Sequence, residues 1–228
     1  RRYVGVLTAF GLVSTVALTL GDLLFKRTLA KHVAAADLAT AFGAIYAGLN
    51  ALSLAIQLLV TRRLLATWGV GGALVVLPAI LATAGLGFAV TGAMAAVLAL
   101  ELGDGGLRHS LHRVTCELLY LPIPAAIRDT LKPIADALVL RGGEATAAIA
   151  VFLLRDSISL TTALAAVVAA TSLIWLAGTR WMQRAYLAQF RDTLRAGEIE
   201  RDVAVPAFDA DTVELLVESL SSPDEAEA

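Results

Sequence analysis

Cysteine is almost missing from this chain, since Cys116 is the single one among 228 residues. One thiol excludes an intramolecular disulfide and a metal site built from several cysteines. We therefore expect Cys116 to pack as a small side chain within a helix. His109 and His112 lack the partner carboxylate or the histidine spacing that a metal site requires. The sequence predicts no metal and no other cofactor.

Charged side chains are also scarce. Asp, Glu, Lys and Arg make up 17% of the chain, compared with about 25% in a typical soluble domain. No run of basic residues indicates a nucleic-acid partner. The sequence also lacks nucleophile–base pairs, Gly-rich phosphate loops and the H-E-x-x-H motif. We therefore expect a protein that is not an enzyme.

Apolar residues are what the chain has in excess. They make up 58% of it, the mean hydropathy is +0.76, and they are gathered into long blocks. We predict an all-α, polytopic membrane protein in contact with the lipid bilayer. The first block follows Arg1 and Arg2 directly, without the short apolar region and cleavage site of a signal peptide. We interpret it as a true span and expect the chain to be a piece of a longer protein.

Six membrane spans are predicted from the lengths of these blocks, because about 20 apolar residues cross a hydrocarbon core of about 30 Å. The uncharged run 64–100 is too long for one span and slightly short for two. The fourth span must therefore continue past Glu101. Pro78 is expected to kink the third span. The predicted spans cover residues 3–21, 38–61, 68–88, 91 to about 115, 133–154 and 157–179.

The sequence predicts two parts. Residues 1–188 are expected to form the six-helix transmembrane bundle, and residues 189–228 a cytoplasmic amphipathic segment. Apolar spacing in 212–220 predicts a helix there, which we interpret as the start of a truncated soluble helical domain. The basic short loops fall mostly on one side, with 26–31 as the exception, which predicts that both termini are cytoplasmic. The Ala- and Gly-rich composition fits a bacterial genome, so we expect a bacterial inner membrane.

Charge is concentrated in the stretch 101–144, between long apolar runs. Charges in or beside membrane helices are costly, which makes them candidates for a substrate path. Guanidinium groups bind phosphate and carboxylate through two parallel hydrogen bonds, which favours an anionic small-molecule substrate. The candidate substrate-binding residues are Asp22, Lys26, Arg108, Arg113, Glu117, Tyr120, Lys132, Asp136 and Arg141.

Each of these candidates also has a structural interpretation. The cations of the stretch could anchor a cytoplasmic loop to lipid headgroups and to one another. Glu117 and Tyr120 could fix the Tyr-Leu-Pro turn that follows them. Asp22 and Lys26, four residues apart on one helical face, could form an ion pair at a helix end or one that faces a transport cavity.

Two motifs in the charged stretch carry a resemblance to a known family. The first is E-x-x-Y-x-P at 117–122 and the second is D-x-x-x-x-R-x-G at 136–143. Further matching positions are Arg108, Ser110, Leu111, Thr115 and Lys132. Together they resemble the ATP:ADP antiporter family of the major facilitator superfamily, over most of 3–186. The resemblance implies the C-terminal six-helix half of a transporter for an anionic solute such as ATP or ADP. It implies alternating access, with the N-terminal six-helix half of the same transporter as partner.

The chain departs from the family at an aspartate and at two lysines. Arg113 and Cys116 stand where the family has the aspartate and the lysine of F-D-P-T-K-E, and Glu144 stands where it has the lysine after R-x-G. We expect weaker binding of a polyanionic nucleotide, since each lost ammonium removes a charge-assisted contact. The alternative hypothesis is a membrane anchor that no longer transports. It would serve as a scaffold for a cytoplasmic helical-repeat regulatory domain that begins near Val205.

Overall fold

Long apolar runs in the sequence become long helices in the structure. The structure is a computed structural model and describes residues 2–155 and 159–195; these ranges contain no strand. The elements are α1 (Arg2–His32), α2 (Leu38–Leu59), α3 (Thr61–Thr91), α4 (Met94–Leu107), a π-helical segment (Arg108–His112), α5 (Arg113–Leu119), α6 (Ala125–Leu154) and α7 (Leu160–Arg195). The all-α prediction is confirmed for this part of the chain.

Five helices are long and apolar enough to cross a membrane: α1, α2, α3, α6 and α7. They support the prediction of a multi-pass membrane protein in contact with a bilayer. Two of them extend well beyond the predicted spans, because α1 continues to His32 and α7 to Arg195. Helix α7 thereby crosses the boundary predicted at residue 188. The remainder, 196–228, with its predicted helix at 212–220, lies outside the described residues.

The fourth predicted span corresponds to three elements in a row. α4, the π segment and α5 follow one another without a break from Met94 to Leu119, which we call the rod. At 1.5 Å per residue the rod is about 39 Å long. It packs against α1, α2 and α3, so the first part of the charged stretch is carried into the bundle. A count of six spans stays a prediction, since the rod consists of three short elements.

Contacts between helix ends define two ends of the bundle. The Tyr3 hydroxyl donates to the carbonyl of Leu119, and the Thr193 hydroxyl donates to the carbonyl of Pro122 at 2.8 Å. These contacts bring together the start of α1, the end of the rod and the end of α7. At the opposite end, Lys31 donates to the hydroxyl of Thr161 at 3.1 Å. Helix α1 therefore runs antiparallel to both α7 and the rod.

Helices α1, α3 and α7 form the centre of the bundle. Half of the apolar stretch of α1 and of α3 is buried, and 39% of that of α7, compared with 11% for α2 and α6. Close packing depends on small residues: a Cβ on Gly85 would lie 3.2 Å from the backbone nitrogen of Ala169. Helix α6 approaches α1 in the same way at Gly143, where a Cβ would lie 2.6 Å from the side chain of Thr15. Only a residue without a side chain allows α6 to lie this close.

Helix α3 is interrupted near its start. Gly69 has φ +66° and ψ −177°, a left-handed conformation that favours glycine, and the helix kinks there. The predicted start of the third span, near Trp68, coincides with this kink. Pro78, where the sequence predicts a kink, is buried within the helix.

Candidate functional site

A cavity of about 280 Å³ lies between α1, the second half of the rod and α6. Its polar lining consists of Ser14, Thr15, Arg108, His109, His112, Arg113, Glu117, Tyr120, Lys132 and Asp136, and we call it the basic cavity. The apolar part of its lining includes Leu7, Phe10 and Val139. The π segment, α5, the following turn and α6 thus contribute all of its charged groups.

The basic cavity brings together six of the predicted site residues, namely Arg108, Arg113, Glu117, Tyr120, Lys132 and Asp136. Local helix geometry explains part of this. Glu117 and Tyr120 follow Arg113 by four and seven residues, a spacing that places all three on the same face of a helix. Lys132 and Asp136 share a face of α6 in the same way. The close approach of α6 to α1 at Gly143 then closes the space between them.

Two polar contacts join the two sides of the basic cavity. The Tyr120 hydroxyl donates to Asp136 at 2.9 Å, and the ammonium group of Lys132 donates to Glu117. The same ammonium lies 5.5 Å from the centre of the Tyr120 ring. Burial and, after it, the hydrogen bond to Asp136 raise the pKa of the Tyr120 phenol, which therefore stays a neutral donor. These contacts hold the end of the rod to α6.

The two arginines of the basic cavity differ in their partners. Arg108 lies 3.5 Å from the buried carboxylate of Asp104, one turn earlier on the rod. Arg113 is exposed, and no carboxylate oxygen of the described residues lies within 4.0 Å of its guanidinium group. Arg113 is therefore the cation best placed to bind an anion from outside.

His112 and Cys116 line one side of the basic cavity and contact each other. The Cys116 sulfur lies 3.5 Å from Nε2 of His112, and the His112 ring meets the ring of Trp175 edge to face at 5.2 Å. The first contact lies within the rod, and the second packs the rod against α7. Across residues 2–155 and 159–195, no three His, Cys, Asp or Glu side chains are grouped closely enough to hold a metal ion.

Arg141 does not reach the basic cavity. Its side chain is 79% exposed and pairs with Glu144 at 3.1 Å. Five residues along a regular α-helix correspond to about 140° of rotation at 3.6 residues per turn. Arg141 therefore lies on another face of α6 than Asp136. The structure separates the two members of the second motif, and a binding role for Arg141 stays a prediction.

The Asp22–Lys26 pair forms, but away from the basic cavity. Lys26 donates to Asp22 at 2.6 Å, and the Tyr46 hydroxyl of α2 donates to the same carboxylate at 3.3 Å. This pair lies within electrostatic range of two carboxyls of α4, Glu101 and Asp104. We call Asp22, Lys26, Tyr46, Glu101 and Asp104 the acidic cluster.

Glu101 and Asp104 lie in the charged stretch but are not among the candidate residues predicted from the sequence. Both are buried, with 3% and 4% of their surface exposed, and Oε2 of Glu101 and Oδ1 of Asp104 have no hydrogen-bond partner. A signal for this was present. Positions 101, 104 and 108 share one helical face, directly after a run without charge.

Sequence reasoning also missed a larger, apolar cavity. It measures about 750 Å³ and lies between α1 and α7, with Phe10, Trp175 and Trp181 in its lining. Among the described residues, Arg2 is the only charged one that lines it. A lining of this kind suits hydrocarbon and offers little to a charged solute.

Comparison of the sequence with protein-family models, with curated proteins and with solved structures found no match for this chain. The resemblance to the ATP:ADP antiporter family therefore rests on the two motifs and the positions around them.

Proposed function

We propose that the chain is one six-helix half of a secondary transporter and moves a small anionic solute by alternating access. The observation that carries the proposal is the basic cavity, where three cationic side chains meet and Arg113 has no carboxylate partner. Cationic groups inside a membrane protein are costly and are retained where they serve a substrate or ion path. The five long apolar helices of the described residues support a membrane location for this cavity, of which α1 and α6 form part of the lining.

The charges of the basic cavity indicate the substrate class. The basic cavity holds Arg113 and Lys132 as cations and Glu117 and Asp136 as anions, while the charge of Arg108 is balanced by Asp104 on the rod. Because no carboxylate of the described residues pairs with Arg113, an incoming carboxylate or phosphate would pair with it and accept two parallel hydrogen bonds. The volume of about 280 Å³ is near the lower end for ligand pockets, which measure about 300–1,000 Å³. This cavity would hold a phosphate or carboxylate group, and the N-terminal half would hold the rest of a larger solute such as ATP or ADP.

The polar contacts across the basic cavity suggest how binding changes the protein. Lys132 joins α6 to the rod through Glu117. An anion that binds Lys132 competes with Glu117 and weakens this connection. Substrate binding would then alter how firmly α6 is held, which is the kind of differential contact that alternating access requires.

Exchange in lipid vesicles tests the proposal. The full-length protein is reconstituted, and the uptake of labelled ATP, ADP, inorganic phosphate and a dicarboxylate is measured. Replacing Arg113 with Gln removes a charge-assisted contact of about 1.5–3 kcal/mol, so we expect uptake to fall about 10- to 100-fold. Arg63→Gln is the matched control and should leave uptake unchanged, since Arg63 is an exposed arginine of α3 that does not line the basic cavity. Wild-type protein that exchanges none of these anions would contradict the proposal.

A membrane anchor or scaffold is the second candidate function. It is favoured by the internal pairing of Lys132 with Glu117 and of Tyr120 with Asp136, which leaves these groups occupied within the protein. In this case the basic cavity serves only to hold the rod to α6. The uptake assay with the Arg113→Gln variant separates the two candidates. A transporter should lose anion uptake in this variant, whereas a scaffold should show no difference between the variant and the wild type.

A further inference from the structure

Two carboxyls lie buried in the middle of the helical bundle, outside the basic cavity. Glu101 and Asp104 occupy successive positions on one face of α4 and are almost completely shielded from solvent. Burial of an isolated ionised carboxylate costs far more free energy than one hydrogen bond contributes. Such a group must therefore be paired with a cation or neutralised by a proton.

Asp104 has a cation beside it and Glu101 has none. Arg108 approaches Asp104 at 3.5 Å. No cationic group of the described residues lies within 4.0 Å of Glu101, and its Oε2 has no hydrogen-bond partner. Glu101 is therefore the carboxyl of this region without a compensating positive charge.

The charged groups around Glu101 leave one negative charge in excess. Helix α1 presents Asp22 and Lys26, α2 presents the Tyr46 phenol, and the rod presents Asp104 and Arg108. Helix α3 presents no ionisable side chain between Leu64 and Thr91. Three carboxyls thus face two cations. Binding of one proton balances the group.

Glu101 also faces an opening. A cavity of about 370 Å³ lies between α2 and α4. Among the described residues that line it, Glu101 is the only ionisable one, and the others are Ala44, Ile45, Gly48, Leu49, Leu98 and Leu102. These side chains supply no further oxygen ligand for a metal ion, whereas a proton needs only the carboxyl oxygen. The occupant with the best fit is a proton.

We propose that Glu101 is a proton-binding site inside the bundle and that its proton is the coupling ion of transport. The proton moves from water to a carboxylate oxygen of Glu101 and returns to water on the other side, and no other bond is made or broken. The coupling rests on the transport function proposed above; the proton-binding site does not.

Asp104 and Arg108 provide the connection to the basic cavity. With Glu101 protonated, Arg108 has one buried negative charge near it, that of Asp104. When Glu101 releases its proton, a second negative charge appears within electrostatic range of Arg108 and weakens its attraction for an anion. Proton and anion should therefore bind together and leave together.

Infrared spectroscopy tests the proton-binding site without any transport. The reconstituted full-length protein is titrated from acidic to alkaline pH, and the carbonyl band of protonated carboxylic acids is followed. We expect a band near neutral pH that Glu101→Gln removes and that the exposed control Glu144→Gln retains. A spectrum in which Glu101→Gln removes no acid band would overturn the proposal.

Uptake driven by a pH gradient tests the coupling. Vesicles with a more acidic outside should accumulate labelled anion, and Glu101→Gln should abolish this accumulation while it retains exchange of anion for anion. Wild-type uptake that ignores the pH gradient, or that requires a sodium gradient instead, refutes coupling but leaves the proposed transport intact. If no anion is exchanged at all, transport and coupling both fail, and the infrared band still decides whether Glu101 binds a proton.

Discussion

The basic cavity and the acidic cluster both include side chains of the rod, but their charged groups differ in exposure and in pairing. In the basic cavity, Lys132 and Glu117 are 31% and 52% exposed and compensate each other. In the acidic cluster, Glu101 and Asp104 are buried and each has an oxygen without a partner. Half-exposed ion pairs contribute at most about 1 kcal/mol, whereas a buried charge without compensation costs several kcal/mol. The comparison indicates that the first arrangement is adaptable and that the second is held at a cost to stability.

The largest loss of stability is expected at Arg108, which lines the basic cavity and pairs with Asp104 of the acidic cluster. Arg108→Gln leaves the Asp104 carboxylate, 6% exposed, without its cation. Loss of one member of a buried pair costs about 3–5 kcal/mol, and we expect that decrease in the free energy of unfolding, measured with denaturant in detergent micelles. The control Arg141→Gln breaks an exposed pair and should cost less than about 1 kcal/mol. Equal losses in both variants would mean that the burial of Asp104 does not make its ion pair more important for stability than an exposed one.

A second prediction concerns the wall of the basic cavity. Gly143→Ala places a methyl group 2.6 Å from the Thr15 side chain and should destabilise the protein by about 1–3 kcal/mol through overpacking. Gly142→Ala is the matched control, since its methyl group would lie at an ordinary 3.8 Å from Leu12. Thermal unfolding of both variants measures the difference. Because α6 is not part of the acidic cluster, the infrared band assigned to Glu101 should be the same in both.

A smaller effect is expected at Tyr120. Tyr120→Phe removes the hydrogen bond to Asp136, which corresponds to about 0.5–1.5 kcal/mol. The ring and its packing are retained, so the loss reports the hydrogen bond alone. Denaturant unfolding measures it, with Tyr186→Phe as a control in which a ring stacked on Phe190 loses its hydroxyl. A loss no larger than in the control would mean that this contact does not hold the rod to α6.

The smallest effect is expected at Lys26. Its pair with Asp22 is 48% and 31% exposed and spans one helical turn. Lys26→Gln should lower the free energy of unfolding by about 0.3–0.5 kcal/mol, measured in the same denaturant experiment. A loss of several kcal/mol would show that Lys26 compensates the buried carboxyls directly, and the acidic cluster would then resemble the basic cavity.

The sequence predicts the helices better than it predicts their ends. Apolar blocks identify every long helix, because about 20 apolar residues are needed to cross the hydrocarbon core. They do not identify where a helix stops, since residues with high helix propensity continue it beyond the apolar run. Helix α1 passes through Asp22 and Lys26 to His32, supported by an ion pair along one face. Helix α7 continues to Arg195, and its end is held in place because the Thr193 hydroxyl donates a hydrogen bond to the carbonyl of Pro122 in the α5–α6 turn.

The candidate site was predictable in its residues and not in its shape. Charged residues close together in sequence identified the Asp, Glu, Lys and Arg side chains that line the basic cavity, but not the rest of its lining. The contact of Gly143 with Thr15 joins positions far apart in the chain, and no local pattern predicts it. Arg141 could have been placed on another face than Asp136 from helical periodicity alone. The burial of Glu101 depends on the packing of α1, α2 and α3 around the rod, which sequence reasoning does not supply.

The π segment determines which side chains the rod presents together. Arg108 and Arg113 are five residues apart, the same spacing as Asp136 and Arg141, yet both arginines line one cavity. The backbone N–H of Arg113 bonds to the carbonyl of Arg108, and this wider turn stacks the two side chains one above the other. The rod therefore carries a shift in register of one residue. In a regular α-helix the same five-residue spacing would turn Arg113 about 140° away from Arg108. The pair of arginines thus depends on the local helix geometry as much as on residue identity.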